Sequence, residues 1–368
     1  MYDELFATIS ALVMCHSPSG AEQEVDRWLI ARAEALGLTW NQDEAGNLIF
    51  VIPGRDRTAK PIAITAHKDE IGAIVKGVES DGRVQLRKLG GAFPWVYGEG
   101  AIDLLGDRQT ITGVLSFGSR HVSHESPQRN LQDNQPLTWE RAWVETGRIP
   151  AELAAAGIRP GSRAVVSKHR KQPLRLGPNQ IASYTLDNKA SVAILLDLAE
   201  RLLAQEEPPA MDLYLVASAK EEVGALGAMY FAQQQKLAAL IALEIAPIAP
   251  EYPIAPGPVP VLLSQDAYGL YDEDLNRALQ AAAERLHLPI QYAVISGFGS
   301  DGSIAMKFGH VPRAACLGFP TQNTHGYEIA HLKAIARCTD ILMEFVQQPF
   351  PPPIEKPVEK PVEQMDAP

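Results

Sequence analysis

The stretch Leu213 to Gly224, LYLVASAKEEVG, constrains the fold more than any other part of the chain. A run that is apolar at consecutive positions needs cover on both faces, which is the situation of a strand in a mostly parallel sheet with helices above and below. This run ends in two adjacent carboxylates, Glu221 and Glu222. In an open α/β sheet the carboxyl ends of the strands face the ligand-binding crevice. Two neighbouring acids there repel each other unless something positive compensates them, and a metal ion is the simplest such group.

Helix and strand patterns alternate on either side of that stretch. Helical spacing over residues 3–14 is followed by SPSG, where Ser19 or Gly20 is predicted to cap a second helix that stops at Gly37. NLIFVI and PIAITAH read as strands, and the second delivers His67, Lys68 and Asp69. From Gly72 onward the pattern becomes short β-like pieces such as GAIVKGV, GRVQLRKL, AIDLL, QTITGVLSF and SRAVVS, which predict a small barrel or sandwich. Alternation then resumes with a helix over Asp187–Leu203, the carboxylate-tipped strand, and a strand AALIALEIAP ending near Glu244. After it come a helix DLNRALQAAAERLHL, a strand IQYAVI, the turn GFGSDGS, a strand RAACLGF, and a last helix from EIAH through Gln348. The expected fold is α/β, a mixed, mostly parallel sheet between helical layers. Residues 1–71 and 174–348 form one discontinuous unit, 72–173 form an inserted β-rich unit, and 349–368, with EKPV in tandem, form a flexible tail.

The 368 residues carry a net charge of −11, which argues against nucleic acid or an anionic membrane as partner. No segment reaches the roughly 20 apolar residues of a membrane helix, and the amino terminus lacks the basic start of a secretory signal. The three cysteines, Cys15, Cys316 and Cys338, form no CxxC pair, so a reducing, cytoplasmic setting is expected. Cys15 and Cys316 read as core residues and not as nucleophiles. Ser300 in FGSDGS lacks the GxSxG frame, and Asp301 is expected to organise that loop. His121 and His124, in a polar segment, read as solvent-facing.

Five residues at or near element ends have metal-ligand chemistry: His67, Asp187, Glu222, Glu244 and His325. Their order, together with AHKDEIG, TLDNKAS, EEVGALGA, GFGSDGS and THGYEIAH, resembles the tetrahedral aminopeptidases. This metallopeptidase family includes glutamyl and deblocking aminopeptidases and proteins once described as cellulases. The resemblance spans about Leu5 to Val346. It implies two divalent ions, zinc or cobalt with manganese as a third choice. His67 and Glu244 would hold the first, Asp187 would bridge, and Glu222 and His325 would hold the second. It makes Glu221 the catalytic base and Asp69 the carboxylate that fixes the tautomer of His67. Two such ions about 3.5 to 4 Å apart activate a shared water and polarise the scissile carbonyl. The resemblance also implies peptide substrates and a homo-oligomer, dimer to dodecamer, built through the inserted unit.

Three departures from the family pattern stand out. Glu244 replaces the usual Asp, Lys68 places a cation between His67 and Asp69, and PTQNTH before His325 lacks an arginine. Two further readings stay open: an amidohydrolase acting on N-acyl amino acids, and a catalytically weak scaffold. Endoglucanase action fits less well, because these carboxylates are better explained as ligands than as a glycosidase pair.

Overall fold

The computed structural model describes residues 2–126 and 135–349, so the tail beyond Pro349 lies outside the described residues. Three strands come first, β1 (Trp40–Gln42), β2 (Leu48–Ile52) and β3 (Ile62–His67). A second group follows: β4 (Gly72–Val78), β5 (Val84–Leu89), β6 (Gly100–Leu105), β7 (Thr110–Ser116), β8 (Trp143–Glu145) and β9 (Arg163–Val166). The third group opens with β10 (Leu174–Leu176), β11 (Gln180–Ser183), β12 (Leu213–Ser218), β13 (Ala239–Pro247) and β14 (Val261–Asp266). It closes with β15 (Gly269–Leu270), β16 (Gln291–Val294), β17 (Ala314–Gln322) and β18 (Glu328–His331).

The first and third groups make a 12-stranded sheet in the order β1-β2-β12-β3-β13-β17-β18-β11-β10, with β14, β15 and β16 branching beside β17. Its centre, β12-β3-β13-β17, is parallel, and every residue of β3 is buried. Alternate residues of these strands enter different cores. Ile62, Ile64 and Leu215 pack with Leu12, Leu195, Leu279 and Ile335 from the helices Asp3–Val13, Leu186–Ala204, Glu273–Arg285 and Leu332–Val346. Ala63 and Val216 face the other way, toward Phe231 and Ala305 from the helices Leu226–Gln234 and Asp301–Lys307. The result is three layers, as the consecutive apolar runs require.

The second group closes on itself as a barrel in the order β4-β5-β8-β7-β6-β9. Its strands alternate between buried and exposed residues, most clearly β7, and its core contains Val75, Leu86, Leu104, Leu115, Val144 and Val166. A buried polar seam joins barrel and sheet. His16 Nε2 lies 3.0 Å from Asp103 Oδ2 on β6, and Lys171 Nζ donates to Glu70 Oε2 at 2.5 Å. Lys189 Nζ donates to Ser17 Oγ, and Ser17 N donates to Glu70 Oε1 at 2.7 Å.

Four sequence expectations need correction. The second helix starts at Gln23 with Glu22 as its cap residue, because the Ser19 hydroxyl is taken by Asp69 Oδ2 at 2.6 Å. Strand β13 runs on to Pro247, so Glu244 sits inside a strand and not at its end. Residues Glu328–His331 pair with β11 and β17 as β18, and the last helix begins only at Leu332. Short edge strands such as β1, β8 and β10 have no counterpart in the sequence reading.

Candidate metal centre

The parallel register places Ser218 at the end of β12 beside His67 at the end of β3. The chain leaves β12 through Lys220, whose φ of 57° is left-handed, into a single 3-10 turn that carries Glu221 and Glu222. Thr185 (φ 62°), two residues before Asp187, and His325 itself (φ 63°) are left-handed as well. Such backbone is uncommon for residues with a Cβ and tends to gather where side chains must be aimed.

All five candidate ligands converge. They form two overlapping groups, His67–Asp187–Glu244 and Asp187–Glu222–His325, whose facing atoms lie within 4.8 Å of one another. Asp187 belongs to both: Oδ1 is 3.1 Å from His67 Nε2, and Oδ2 is 3.4 Å from His325 Nε2. Behind each imidazole stands another carboxylate, Glu244 Oε1 at 3.8 Å from His67 Nε2 and Glu222 Oε2 at 3.7 Å from His325 Nε2. Donor atoms around a tetrahedral zinc stand about 3.3 Å apart, so these spacings suit an ion in each group. Glu222 Oε1 is buried and has no hydrogen-bond partner among the described residues. Glu221 Oε2 reaches to 3.9 Å from His67 Nε2 without belonging to either group.

The electrostatics of the cluster favour a cation. Burial pushes the Glu221 and Glu244 carboxyls well above their usual range, with His67 only partly offsetting it, and burial raises Glu222 to about 7. Burial alone would lower the histidines. Instead Glu244 and Asp187 raise His67 well above its ordinary value, and Glu222 and Asp187 take His325 to about 10. Asp187 stays below the usual carboxylate range despite its burial, because both imidazoles hydrogen-bond to it. Four carboxylates face two imidazoles here, and a divalent cation would balance that charge, so the donor set suits a metal.

Asp69 sits just past the end of β3. His67 Nδ1 lies 3.2 Å from the Asp69 carbonyl oxygen and 3.5 Å from Oδ1. The Asp69 carboxylate accepts from Glu221 N at 2.9 Å and Glu222 N at 3.3 Å. It thus ties the histidine strand to the glutamate turn. Lys68 points away from the cluster, to Asp26 and the Gly46 carbonyl.

The sequence reading missed Glu328. Its buried carboxylate accepts from Asp187 N through Oε2 and from His325 N through Oε1, both at 2.9 Å. The available signal was an acid in an otherwise apolar stretch three residues after His325. His121 and His124 are exposed and belong to no candidate ion group among the described residues.

A cleft of about 650 Å³ opens over the cluster. The loop after β5 forms part of its wall, and Gly91 lies so close to His325 that a Cβ there would stand 2.5 Å from the imidazole.

Residues 46–341 match the family described as M42 glutamyl aminopeptidase. The chain is 27% identical over 352 residues to "Putative aminopeptidase YhfE" of Bacillus subtilis (strain 168), covering 93% of this chain and 96% of that protein. It is 28% identical over 229 residues to the glutamyl aminopeptidase of Lactococcus lactis subsp. cremoris (strain MG1363), covering 61% of this chain and 62% of that one. Its fold superposes on the Pyrococcus horikoshii TET1 peptidase with a TM-score of 0.83 at 22% identity, over 93% of this chain and 99% of that one. The solved structure of that peptidase is described as assembling into a tetrahedron or a large octahedral shell.

Proposed function

The chain belongs to the M42 glutamyl aminopeptidase family and is a peptidase, and from that premise we propose that it removes amino-terminal residues from peptides with two divalent ions. His67, Asp187 and Glu244 would hold the first ion, and Asp187, Glu222 and His325 the second. One observation carries this reading: Asp187 offers one oxygen to each imidazole, and each imidazole has a further carboxylate behind it. Zinc or cobalt suits this mix of imidazole and carboxylate, with manganese as the next choice. Ions held there supply Lewis acidity, lowering the pKa of water and polarising a carbonyl oxygen.

The remaining chemistry belongs to this chain. Glu221 stands beside both candidate ion groups but in neither, which frees its carboxylate to take a proton from the attacking water and return it to the leaving amine. Asp69 holds the backbone of that glutamate, so the proton acceptor and His67 are positioned by one side chain. The additional methylene of Glu244, relative to an aspartate, is accommodated within the sixth position of β13, which still presents the carboxylate to His67. The complete donor set favours catalysis over a scaffold role.

The unit 72–173 is the proposed assembly module of a homo-oligomer, in keeping with the assemblies described for the Pyrococcus horikoshii peptidase. Among the described residues no helix is long and apolar enough to cross a membrane. The three buried free thiols accord with a proposed cytoplasmic setting.

Metal analysis of purified protein, coupled to release of amino acids from free and acetylated peptides, tests this function. Two ions per chain and release from free peptides are expected. Glu221→Gln should keep both ions and lose about a thousandfold in kcat. One ion with full activity would contradict the paired site, and release from acetylated peptides alone would reassign the enzyme as an amidohydrolase.

A further inference from the structure

The wall of the cleft has a composition that chooses among amino-terminal residues. Phe93, Trp95, Tyr252, Tyr268 and Phe298 line it, with Val96, Ile245 and Ile304 between them. Among the described residues, every carboxylic acid or histidine in the lining belongs to the candidate metal centre, and no lysine or arginine lines it. Two exposed lysines outside the lining stack on its rings, Lys88 Nζ at 5.9 Å from the Phe93 ring centroid and Lys307 Nζ at 4.9 Å from that of Tyr268. The Tyr252 hydroxyl accepts from Gly297 N at 3.2 Å, which fixes that ring in the wall.

We propose that this cleft selects peptides whose first residue is apolar or aromatic and discriminates against glutamyl and lysyl peptides. The inference rests on the aminopeptidase reading above and adds the substrate class. A glutamyl carboxylate entering the cleft loses water and meets no guanidinium or ammonium among the described lining residues. A lysyl ammonium is attracted toward the site acids, but these would hold the ions, and among the described residues no separate carboxylate lines the aromatic wall to receive it. A leucyl or phenylalanyl side chain gains from burial against five rings and leaves no polar group unpaired. A pocket without a partner for a charged group rejects it far more strongly than a pocket rejects one methylene.

The closing experiment uses the zinc- or cobalt-loaded enzyme on the p-nitroanilides of phenylalanine, leucine, glutamate and lysine. Expected kcat/KM values for the apolar pair exceed those for glutamate and lysine by about 100-fold. Trp95 is 65% exposed, so Trp95→Ala should fold normally by circular dichroism. It should also lower the phenylalanine-to-glutamate ratio by about tenfold. Calorimetry of the metal-loaded Glu221→Gln protein with the dipeptides Phe-Ala, Glu-Ala and Lys-Ala gives the same ranking in binding, independently of turnover. Glutamate or lysine released within about threefold of phenylalanine would overturn the inference and leave the aminopeptidase function standing. If no substrate is turned over, the aminopeptidase reading falls. The calorimetry then decides the cleft's preference by itself: tightest binding of Phe-Ala upholds it, and equal or weaker binding overturns it.

Discussion

Glu328 clamps the backbone of Asp187 and His325 with one carboxylate, so two loops that are far apart in sequence are aimed at the same point. Replacing it with alanine removes both acceptors, and partners of this kind change metal affinity by about 10- to 100-fold. Glu328→Ala should therefore lose bound metal at chelator-buffered zinc levels that keep the parent protein loaded, as read by elemental analysis. In the ion-free protein His325 stands at about 10 and Glu222 at about 7, against about 6.5 and 4.3 in an unfolded chain. Raised values mean that the folded form holds these protons more tightly. Their stabilising effect is complete below the unfolded values and is lost as pH rises through the folded ones. The chelated protein should thus melt at a lower temperature at pH 8 than at pH 6, and added zinc should raise Tm more at pH 8. A chelated protein whose Tm climbs over that interval would contradict the charge balance described here. The candidate ligands were legible because His67, Asp187, Glu222 and His325 lie at or near element ends and Glu244 interrupts an apolar run, whereas Glu328 was not, since its partners are backbone N–H groups brought to it only by β18 pairing.

The element scale shows why the long parallel strands and their helices could be read and the edges could not. Consecutive apolar runs and 3.6-residue spacing are local signals, and they marked β3, β12, β13 and β17. Strands of three residues such as β1 and β8 are too short to display a period and exist through the neighbour they pair with. EIAH continues the apolar spacing of the helix behind it, and only its non-local partners make it a strand. Ser19 would make a good helix cap locally, but Asp69 competes for its hydroxyl. The seam between barrel and sheet is the element most sensitive to one change. Lys171 and Glu70 are fully buried together, and Lys171→Met leaves the carboxylate without its ammonium. Breaking a buried pair from one side costs about 3 to 5 kcal/mol. Denaturant unfolding should show a loss of that size, and a loss below about 1 kcal/mol would mean that water already reaches the seam.

At the scale of the whole molecule, the barrel contributes both a separate core and part of the cleft wall. If the 72–173 unit builds the assembly, light scattering at micromolar concentration should give the mass of a dimer or of a larger multiple of the protomer, up to the dodecamer. A monomer under those conditions would remove the assembly role while leaving the site intact. The barrel loop has a further consequence for how such an enzyme can diverge. Gly91 is held by the imidazole it touches, while Phe93 and Trp95, two and four residues on, are 49% and 65% exposed and support little of the fold. If the cleft selects apolar residues as proposed, exchanging those rings changes which first residue enters while leaving the donor set beside Gly91 untouched.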